Sequence, residues 1–233
     1  MLVRYDFHIH SGLSPCADKD MTPANIVGFA ALSGLNMIAI ADHNAIGNVK
    51  TAMSIGKAYG VTVVPALELQ TLEDIHFLCL FPSYDALERF YESVPFNPMK
   101  NRPDIFGDEL LFDEDDNVIG KDDRLLLSSS DVYAHEIASL VDGYGGIAIP
   151  AHIDRESNGM VAILGGVSPE FDVVELSSKA LSAEKAMYED KYLIIVDSDA
   201  HTLDAINTSS EIELSEPTAE ALIKYLKKGA KKC

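Results

Sequence analysis

The chain has 233 residues, which is the length of one large domain. Apolar residues make up 47% and charged residues 24%, a composition that excludes a disordered chain and a disulfide-stapled mini-protein. Lys and Arg number 18 against 37 Asp and Glu, a formal net charge of −19. Because such a field repels the phosphate backbone, we expect no long nucleic acid as a partner.

The cysteines and the apolar runs indicate the cellular setting. Cys16, Cys79 and Cys233 are odd in number and far apart, which favours a reducing compartment over a disulfide framework. The start MLVRYDFHIH has no apolar run behind a basic segment, and no stretch of about 18 apolar residues occurs. We therefore expect a cytoplasmic protein without a signal peptide or a membrane span.

Strand-like apolar runs alternate with helical segments, which is typical of a mostly parallel α/β layer or barrel. Thr22 as N-cap and Pro23 in the first helical position begin the first helix, and Gly34 ends it. In chain order the pattern predicts strands at 2–9, 37–41, 61–67, 77–81, 146–151, 172–176, 192–196 and 211–214. Helices are predicted at 22–34, 46–59, 83–93, 131–142, 182–190 and 217–228.

Two segments depart from this alternation. The residues between Leu69 and His76 are too few for a parallel crossover, so the third and fourth strands should form an antiparallel hairpin. Residues 95–129 are polar and rich in Asp, and we interpret them as an insertion with a small hairpin that turns near Asp116 and Asn117. The sequence thus predicts a single domain over residues 1–233 that carries an insertion.

Metal-ligand side chains follow the predicted strands at their ends, where an α/β barrel assembles its active site. His8 and His10 are two residues apart in an extended segment, so both imidazoles point the same way, and Asp199 with His201 repeats this spacing. One histidine after a strand is commonly a hydrogen-bonded core residue, but two such pairs with further strand-end ligands favour a metal site. The complete set is His8, His10, His43, Glu68, His76, His152, Asp199 and His201. These are too many ligands for one tetrahedral ion, and they predict two or three divalent ions of Zn, Mn or Fe.

These motifs resemble a known family. His8-Ile9-His10, Ala41-Asp42-His43, Glu68, His76, Ala151-His152 and Ser198-Asp199-Ala200-His201 are similar, in order, to the motifs of the PHP (polymerase and histidinol phosphatase) family of phosphoesterases. The resemblance implies a distorted, TIM-like (β/α)7 barrel with a trinuclear metal cluster at its C-terminal mouth. It also implies one ion on His8, His10, Glu68 and Asp199, a second on Glu68, His76 and His152, and a third on His43, His201 and one further ligand.

The further ligand of the third ion is left open by the motifs. Many relatives place an Asp five residues after the second motif histidine, or a His six after it, where this chain has Pro15 and Cys16. Asp18 is the nearest carboxylate and our first choice, followed by Cys16 and then Asp20. Alternatively, Asp18 and Cys16 only shape the loop.

The resemblance implies hydrolysis of phosphoesters, and a metal-bridging hydroxide would be the nucleophile, because coordination lowers the pKa of water towards about 7. The leading hypothesis is a small phosphorylated substrate, with histidinol phosphate, sugar phosphates, nucleoside bisphosphates and short oligonucleotides left open. Phosphate or sulfate could then occupy the site. Arg155 could clamp phosphate oxygens, or could instead pair with Asp154 or Glu156. Asp42 could orient a ligand or cap the next helix. The catalytic side chains implied are Glu68, His43, His201 and Arg155.

Two other functions fit parts of the pattern. An amidohydrolase-like C–N hydrolase also begins with His-x-His, but it usually has a single Asp after its last barrel strand and often a bridging Lys. A regulatory module that binds metal without catalysis would arise if ligands were lost, whereas nearly all ligand positions are filled here. Metal-dependent phosphoester hydrolysis is therefore the leading prediction.

Overall fold

The computed structural model describes residues 1–229, so Cys233 lies outside the described residues. Its strands are β1 (Leu2–Ile9), β2 (Met37–Ile40), β3 (Thr62–Gln70), β4 (His76–Leu80), β5 (Leu110–Phe112), β6 (Val118–Lys121), β7 (Ile147–Pro150), β8 (Val173–Ser177), β9 (Leu193–Asp197) and β10 (Glu211–Glu213). Its α-helices are α1 (Pro23–Leu32), α2 (Val49–Tyr59), α3 (Tyr84–Ser93), α4 (Pro103–Phe106), α5 (Ala134–Gly143), α6 (Met160–Leu164), α7 (Ser182–Tyr188) and α8 (Ala219–Gly229). No helix within residues 1–229 is both long enough and apolar enough to cross a bilayer.

A curled sheet organises the molecule. Six strands pair in the order β10-β1-β2-β3-β4-β7, and β8 pairs in parallel with β9. A bridge between Ile9 and Ala200 then joins the end of β1 to the chain that follows β9. The predicted α/β class is confirmed, with a strongly curled half-barrel sheet. The expected seven-stranded barrel is not matched as one continuous ladder among the described strands, because β7 and β8 share no ladder there.

The third and fourth strands form the predicted antiparallel hairpin, which pairs Glu68 with Leu78 and Gln70 with His76. This reversal returns His76 to the rim where Glu68 lies. In the segment 95–129, β5 and β6 form a second hairpin around a turn at Asp113 to Asn117. The short helices α4 and α6 were not predicted, because four or five residues carry too little periodicity to be seen in the sequence.

The inward-facing side chains of the sheet change from apolar to acidic along the strands. At one end, alternate apolar residues pack on the buried side chains of α8, among them Leu222 and Leu226. Two residues further along the same inward-facing rows, acids replace them: Glu68 follows Ala66, and Glu175 follows Val173. The strands therefore bury an apolar core at one end and a polar cluster at the other.

A β-bulge sets the direction of the first histidine pair. The pairing of β1 with β2 shifts register between Asp6 and Ile9. Phe7 accordingly lies in the inner core, whereas Ile9, two residues later, lies in the layer beneath α1 and α2. Because a bulge re-aims the side chains that follow it, His8 and His10 both face the polar cluster.

Candidate metal centre

Glu68 is the centre of the polar cluster. It is fully buried, and five histidine nitrogens lie around its two carboxylate oxygens. Oε2 lies 2.7 Å from His43 Nδ1 and 3.5 Å from His10 Nε2, and Oε1 lies 2.8 Å from His76 Nδ1, 3.1 Å from His152 Nε2 and 3.3 Å from His8 Nε2. Burial alone would raise the pKa of Glu68, but the surrounding imidazoles outweigh it and hold the pKa well below its usual value.

The outer nitrogens of the first histidine pair are held by neighbours. His8 Nδ1 lies 3.0 and 3.1 Å from the two oxygens of Glu175. His10 Nδ1 lies 2.9 Å from Ser14 Oγ, whose hydroxyl donates to Asp42 at 2.7 Å. Each Nδ1 is therefore a protonated donor nitrogen, and each Nε2 points into the cluster.

The inward-facing nitrogens lie close to one another and to a carboxylate. His8 Nε2 lies 3.2 Å from His10 Nε2, and His10 Nε2 lies 2.8 Å from Asp199 Oδ1. Several buried atoms of the cluster also lack a hydrogen-bond partner: His43 Nδ1, Glu68 Oε2, His152 Nδ1 and Asp199 Oδ1. Buried nitrogens and carboxylates that face one another at these distances need protons or metal cations between them, and the donor set fits divalent metal.

Three overlapping groups offer ligand atoms within 4.8 Å of one another. They are His8, His10, Glu68 and Asp199; His43, Glu68 and His76; and His10, His43 and His201. His152 contacts Glu68 beside them. This buried arrangement indicates a multi-metal site.

Without metal, protons take the place of ions. Burial alone would lower the pKa of His8, but the carboxylates of Glu175, Glu68 and Asp199 outweigh it and raise that pKa well above its ordinary value. The pKa of His43 is raised to about 10, since Glu68 likewise outweighs burial. Metal binding must displace these protons, which couples metal affinity to pH.

The three candidates for the further ligand of the third ion are placed differently. The Asp18 and Asp20 side chains are exposed, and the Asp18 carboxylate accepts from the Asp20 amide. Cys16 instead lines the cavity beside His43 and His201. Burial would raise its pKa, but the two histidines lower it to about 7. The structure thus brings Cys16 to the histidines and leaves the Asp18 carboxylate, our first choice, at the surface.

Two buried acids behind the ligands escaped the sequence analysis. Glu175 lies in the middle of the apolar strand β8, and Asp197 is the last residue of β9; both are buried. Asp197 accepts from the Phe7 amide at 2.6 Å, and burial, together with Glu175 and Asp6, raises its pKa well above the ordinary value. A lone acid within the run Val-Val-Glu-Leu-Ser was the available signal for Glu175.

Asp42 had two interpretations, and its contacts favour the first. Its carboxylate accepts from the Ser11 amide at 2.7 Å and from the hydroxyls of Ser11 and Ser14. Since Ser14 in turn holds His10, Asp42 orients a ligand histidine. The residue before α2 is Asn48, not Asp42.

A cavity of about 420 Å³ opens beside the cluster. Its lining is mostly polar: Cys16, His43, Gln70, His76, Leu127, His152, Arg155, Ser157, Asn158, Asp199 and His201. Arg155 is about one-third exposed there and forms an ion pair with Asp199. It pairs with neither of the acids expected, since Asp154 accepts instead from the amide and hydroxyl of Ser177.

Sequence comparisons with known proteins give one short match. No protein-family model matches the sequence. Over 71 residues the chain is 31% identical to a 5′-3′ exoribonuclease of Haemophilus influenzae, a match that covers 30% of this chain and 25% of the relative. The chain therefore spans a quarter of that relative's length.

Solved structures match over nearly the whole chain. The lesion-specific endonuclease Q of Pyrococcus furiosus superposes with a TM-score of 0.67 at 21% identity, over 98% of this chain and 56% of that one. A proposed metal-dependent phosphoesterase of Bifidobacterium adolescentis gives 0.56 at 17% identity, over 97% and 96%. An amidohydrolase of Chromobacterium violaceum with bound sulfate gives 0.59 at 15%, over 97% and 96%. At these identities the similarity shows the fold, which hydrolases share.

One expectation is wrong. The net charge of −19 led us to expect no long nucleic acid, and a small phosphorylated substrate was the leading hypothesis. Endonuclease Q, which shares this fold at a TM-score of 0.66, was crystallised with a 27-mer duplex whose abasic lesion lies at the active site. Net charge failed as a guide because a substrate responds to the local field, and histidines with bound cations can reverse that field at the mouth.

Proposed function

We propose that this protein is a metal-dependent phosphodiesterase that acts on nucleic acid at a centre of two or three divalent ions. The observation that carries the proposal is Glu68, one buried carboxylate shared by five histidines beside Asp199. A carboxylate between several imidazoles is suited to bridging close ions, which is how two-metal hydrolases are built.

The ligands divide among the ions as the sequence motifs suggest. His8, His10, Glu68 and Asp199 would hold one ion, Glu68 with His76 and His152 a second, and His43 with His201 a third. The mixture of imidazole and carboxylate suits Zn, Mn or Fe. Bound there, such ions lower the pKa of a coordinated water towards about 7 and offset charge on a phosphoryl oxygen. The strands that supply these residues would enclose the centre as a (β/α)7 barrel does.

The protein's own residues would hold the substrate in line with this centre. His8 and His10 are fixed from behind by Glu175 and Ser14, so they need not reorganise as ligands. Arg155 neutralises Asp199 when no ion is bound. In the loaded protein its guanidinium is free to bind two non-bridging phosphate oxygens, the geometry that arginine favours.

The substrate class rests on the relatives. Endonuclease Q is a lesion-specific endonuclease, and the relative from Haemophilus influenzae is a 5′-3′ exoribonuclease. The cavity offers one arginine and four histidines, so binding of a polyanion would depend on the ions at its floor. A cytoplasmic location remains a prediction of the sequence.

Hydrolysis of a C–N bond is the alternative that the amidohydrolase neighbour keeps open. The residues that line the cavity include no lysine, and a bridging lysine is frequent in that class. Phosphodiester hydrolysis therefore has the better support.

The test is a cleavage assay on oligonucleotides labelled at the 5′ end. RNA, single-stranded DNA and duplex DNA with an abasic site are compared with p-nitrophenyl phosphate, with each metal added in turn. We expect metal-dependent cleavage of at least one oligonucleotide, lost in Glu68→Gln and kept in Glu92→Gln, the same change at an exposed helix position. Cleavage that survives in Glu68→Gln, or inertness on every oligonucleotide with all three metals, would overturn the proposal.

A further inference from the structure

The cavity beside the metal centre has an uncharged part that the proposed reaction does not use. Four of its lining side chains carry no charge and are not candidate metal ligands: Gln70, Leu127, Ser157 and Asn158. Gln70 follows Glu68 by two residues on β3, in the same inward-facing row, so it lies just beyond the shared carboxylate. A volume of about 420 Å³ is in the range of pockets that enclose a small organic ligand. The cavity therefore has room for the uncharged portion of a nucleotide next to its phosphate.

Asp74 fixes the direction of both amide side chains in this part of the cavity. Its carboxylate Oδ1 accepts from Gln70 Nε2 at 3.0 Å, and its backbone oxygen accepts from Asn158 Nδ2 at 2.9 Å. A carboxylate and a backbone oxygen can only accept, so each amide must turn its NH₂ group towards Asp74. Within residues 1–229, no group donates to Gln70 Oε1 or Asn158 Oδ1. Two carbonyl oxygens are thus left to accept hydrogen bonds from a ligand.

The backbone that carries each amide is fixed as well. The Gln70 amide donates to Asn44 Oδ1 at 3.0 Å, and the Gln70 backbone oxygen accepts from the amide and the hydroxyl of Ser130. The backbone oxygen of Asn158 accepts from the His76 amide at 2.9 Å. Asn158 has a φ of 58°, a left-handed conformation that asparagine adopts more readily than most residues. Amides held in this way need little reordering when a ligand binds.

The insertion supplies an apolar side chain to the same part of the cavity. Asn44 Nδ2 donates to the backbone oxygens of Leu126 at 2.9 Å and Ser128 at 3.1 Å. Leu127, between them, lines the cavity. Because Asn44 also accepts from the Gln70 amide, one side chain holds both the apolar and the amide residue in place.

We infer that this part of the cavity binds the sugar or base of the nucleotide whose phosphate lies at the metal centre, and that Gln70 and Asn158 select a hydrogen-bond donor on it. The inference rests on the proposed function, because it concerns the substrate of the same site. Carbonyl oxygens repel phosphate and attract hydroxyl and amino groups. An adenosine within a chain offers two such donors, the 2′-hydroxyl of its ribose and the exocyclic amine of its base. Selection of the first favours RNA over DNA, and selection of the second favours particular bases.

Binding of nucleoside phosphonates tests this without turnover, because the proposed hydrolysis does not cleave a P–C bond. Isothermal titration of metal-loaded protein compares adenosine with 2′-deoxyadenosine, which lacks the hydroxyl, and with purine riboside, which lacks the amine. Each is used as the 5′- and as the 3′-phosphonate. We expect one of the two changes to weaken binding to wild type about three- to tenfold, the size of one neutral hydrogen bond. The change that weakens binding identifies the donor.

Variants of the two amides show whether they are the acceptors. Gln70→Met removes one amide at similar length, and Asn158→Gly removes the other at a backbone conformation that glycine accepts. In the double variant the two ligands should bind within about a factor of two of each other, because the donor has lost its acceptors. Each single variant keeps one acceptor and should give an intermediate ratio. Asn117→Gly, at an exposed position of the β5–β6 turn, should keep the wild-type ratio.

A purely structural role of the amides would weaken both ligands equally and leave their ratio unchanged. Circular dichroism checks that each variant is folded. Equal binding of all three nucleosides to wild type in both phosphonate series, or a wild-type ratio in the folded variants, would overturn the inference.

The two proposals can fail separately. If the three nucleosides bind equally while wild type cleaves oligonucleotides with added metal, the amides do not select the substrate and the proposed function stands. If wild type selects one donor and the amide variants do not, while every oligonucleotide is inert, the binding site is supported and the proposed reaction is wrong.

Discussion

The two ends of the same strands behave in opposite ways. At the end covered by α8, the inward-facing side chains are apolar and close-packed. At the other end, Glu68 and Glu175 occupy equivalent inward positions and are equally buried, and the histidines gather around Glu68. Burying apolar surface stabilises a fold, whereas buried charges cost free energy unless they are paired or bound to metal. The apolar end therefore holds the fold, and the polar end is maintained for its chemistry.

Removing the Glu68 carboxylate should give the largest difference between the polar and the apolar end of the strands. Glu68→Gln keeps the size of the side chain but removes the charge that faces five histidines. We expect metal content to fall by at least one ion per chain and hydrolysis to fall about a thousandfold or more, since a catalytic ion supplies several kcal/mol and each tenfold is about 1.4 kcal/mol. Elemental analysis and the oligonucleotide assay measure both effects. Retained metal would show that Glu68 is not a ligand.

The apolar end should show the reverse response. Leu222→Ala opens a cavity under α8 and should lower the free energy of unfolding by about 2–5 kcal/mol, with metal content per folded chain unchanged. Leu32→Ala, the same change at a residue that is 92% exposed, should have almost no effect. Denaturant titration of both variants tests this. Metal loss in folded Leu222→Ala would break the division between the two ends.

Glu175, which contacts His8 on the side away from the cluster, tests whether the polar end depends on residues that are not themselves ligands. Glu175→Gln removes the carboxylate that holds His8 Nδ1. Metal affinity should fall about 10- to 100-fold, the usual cost of losing such a partner. Glu170→Gln, at an exposed position just before β8, is the control and should bind metal as wild type does. Unchanged affinity in Glu175→Gln would mean that His8 is held by other contacts.

Stability against pH should differ between metal-free and loaded protein. In metal-free protein the pKa of His43 is raised to about 10, and the pKa of His8 is raised as well. A raised histidine pKa stabilises the fold below about 6.5, and this contribution is lost as pH rises through the folded value. The pKa of Cys16 is lowered to about 7, so its thiolate adds stability as the pH rises from about 7 towards the ordinary thiol value. This contribution opposes the loss from the histidines. Because the two histidines outweigh the single thiol, metal-free protein should become less stable from pH 7 to 10.

Thermal unfolding followed at several pH values checks that prediction. The loaded protein should show a much smaller decline over the same range, because its imidazoles carry ions in place of protons. Parallel curves for metal-free and loaded protein would show that these groups do not exchange protons for metal.

The smallest effect is expected in the insertion. Lys121 and Asp108 form an exposed ion pair at 2.6 Å in the region around the β5–β6 hairpin. Exposed pairs contribute little, so Lys121→Gln should shift the Tm by less than about 2 °C and leave metal content unchanged. A larger decrease in Tm would mean that the insertion contributes to the stability of the whole fold.

The sequence predicted most elements well, because they leave local signals, and the strand-end residues that the structure brings together were visible for the same reason. His8 with His10 and Asp199 with His201 are visible as residue pairs, and the short link before His76 predicts its hairpin. Glu175 was missed because a lone acid in an apolar strand gives no sign of its partner, His8, which lies far away in the chain. The choice between Asp18 and Cys16 depended on a loop fixed by hydrogen bonds to Ser14 and His201, which no local pattern encodes.

The most direct test of the central claim is the metal content of protein purified without chelator, measured by elemental analysis. A centre built around Glu68 predicts two to three ions of Zn, Mn or Fe in sum per chain. One ion or fewer, after incubation with each of these metals and removal of the excess, would contradict a multi-metal centre and leave the buried histidines and carboxylates without a function in hydrolysis.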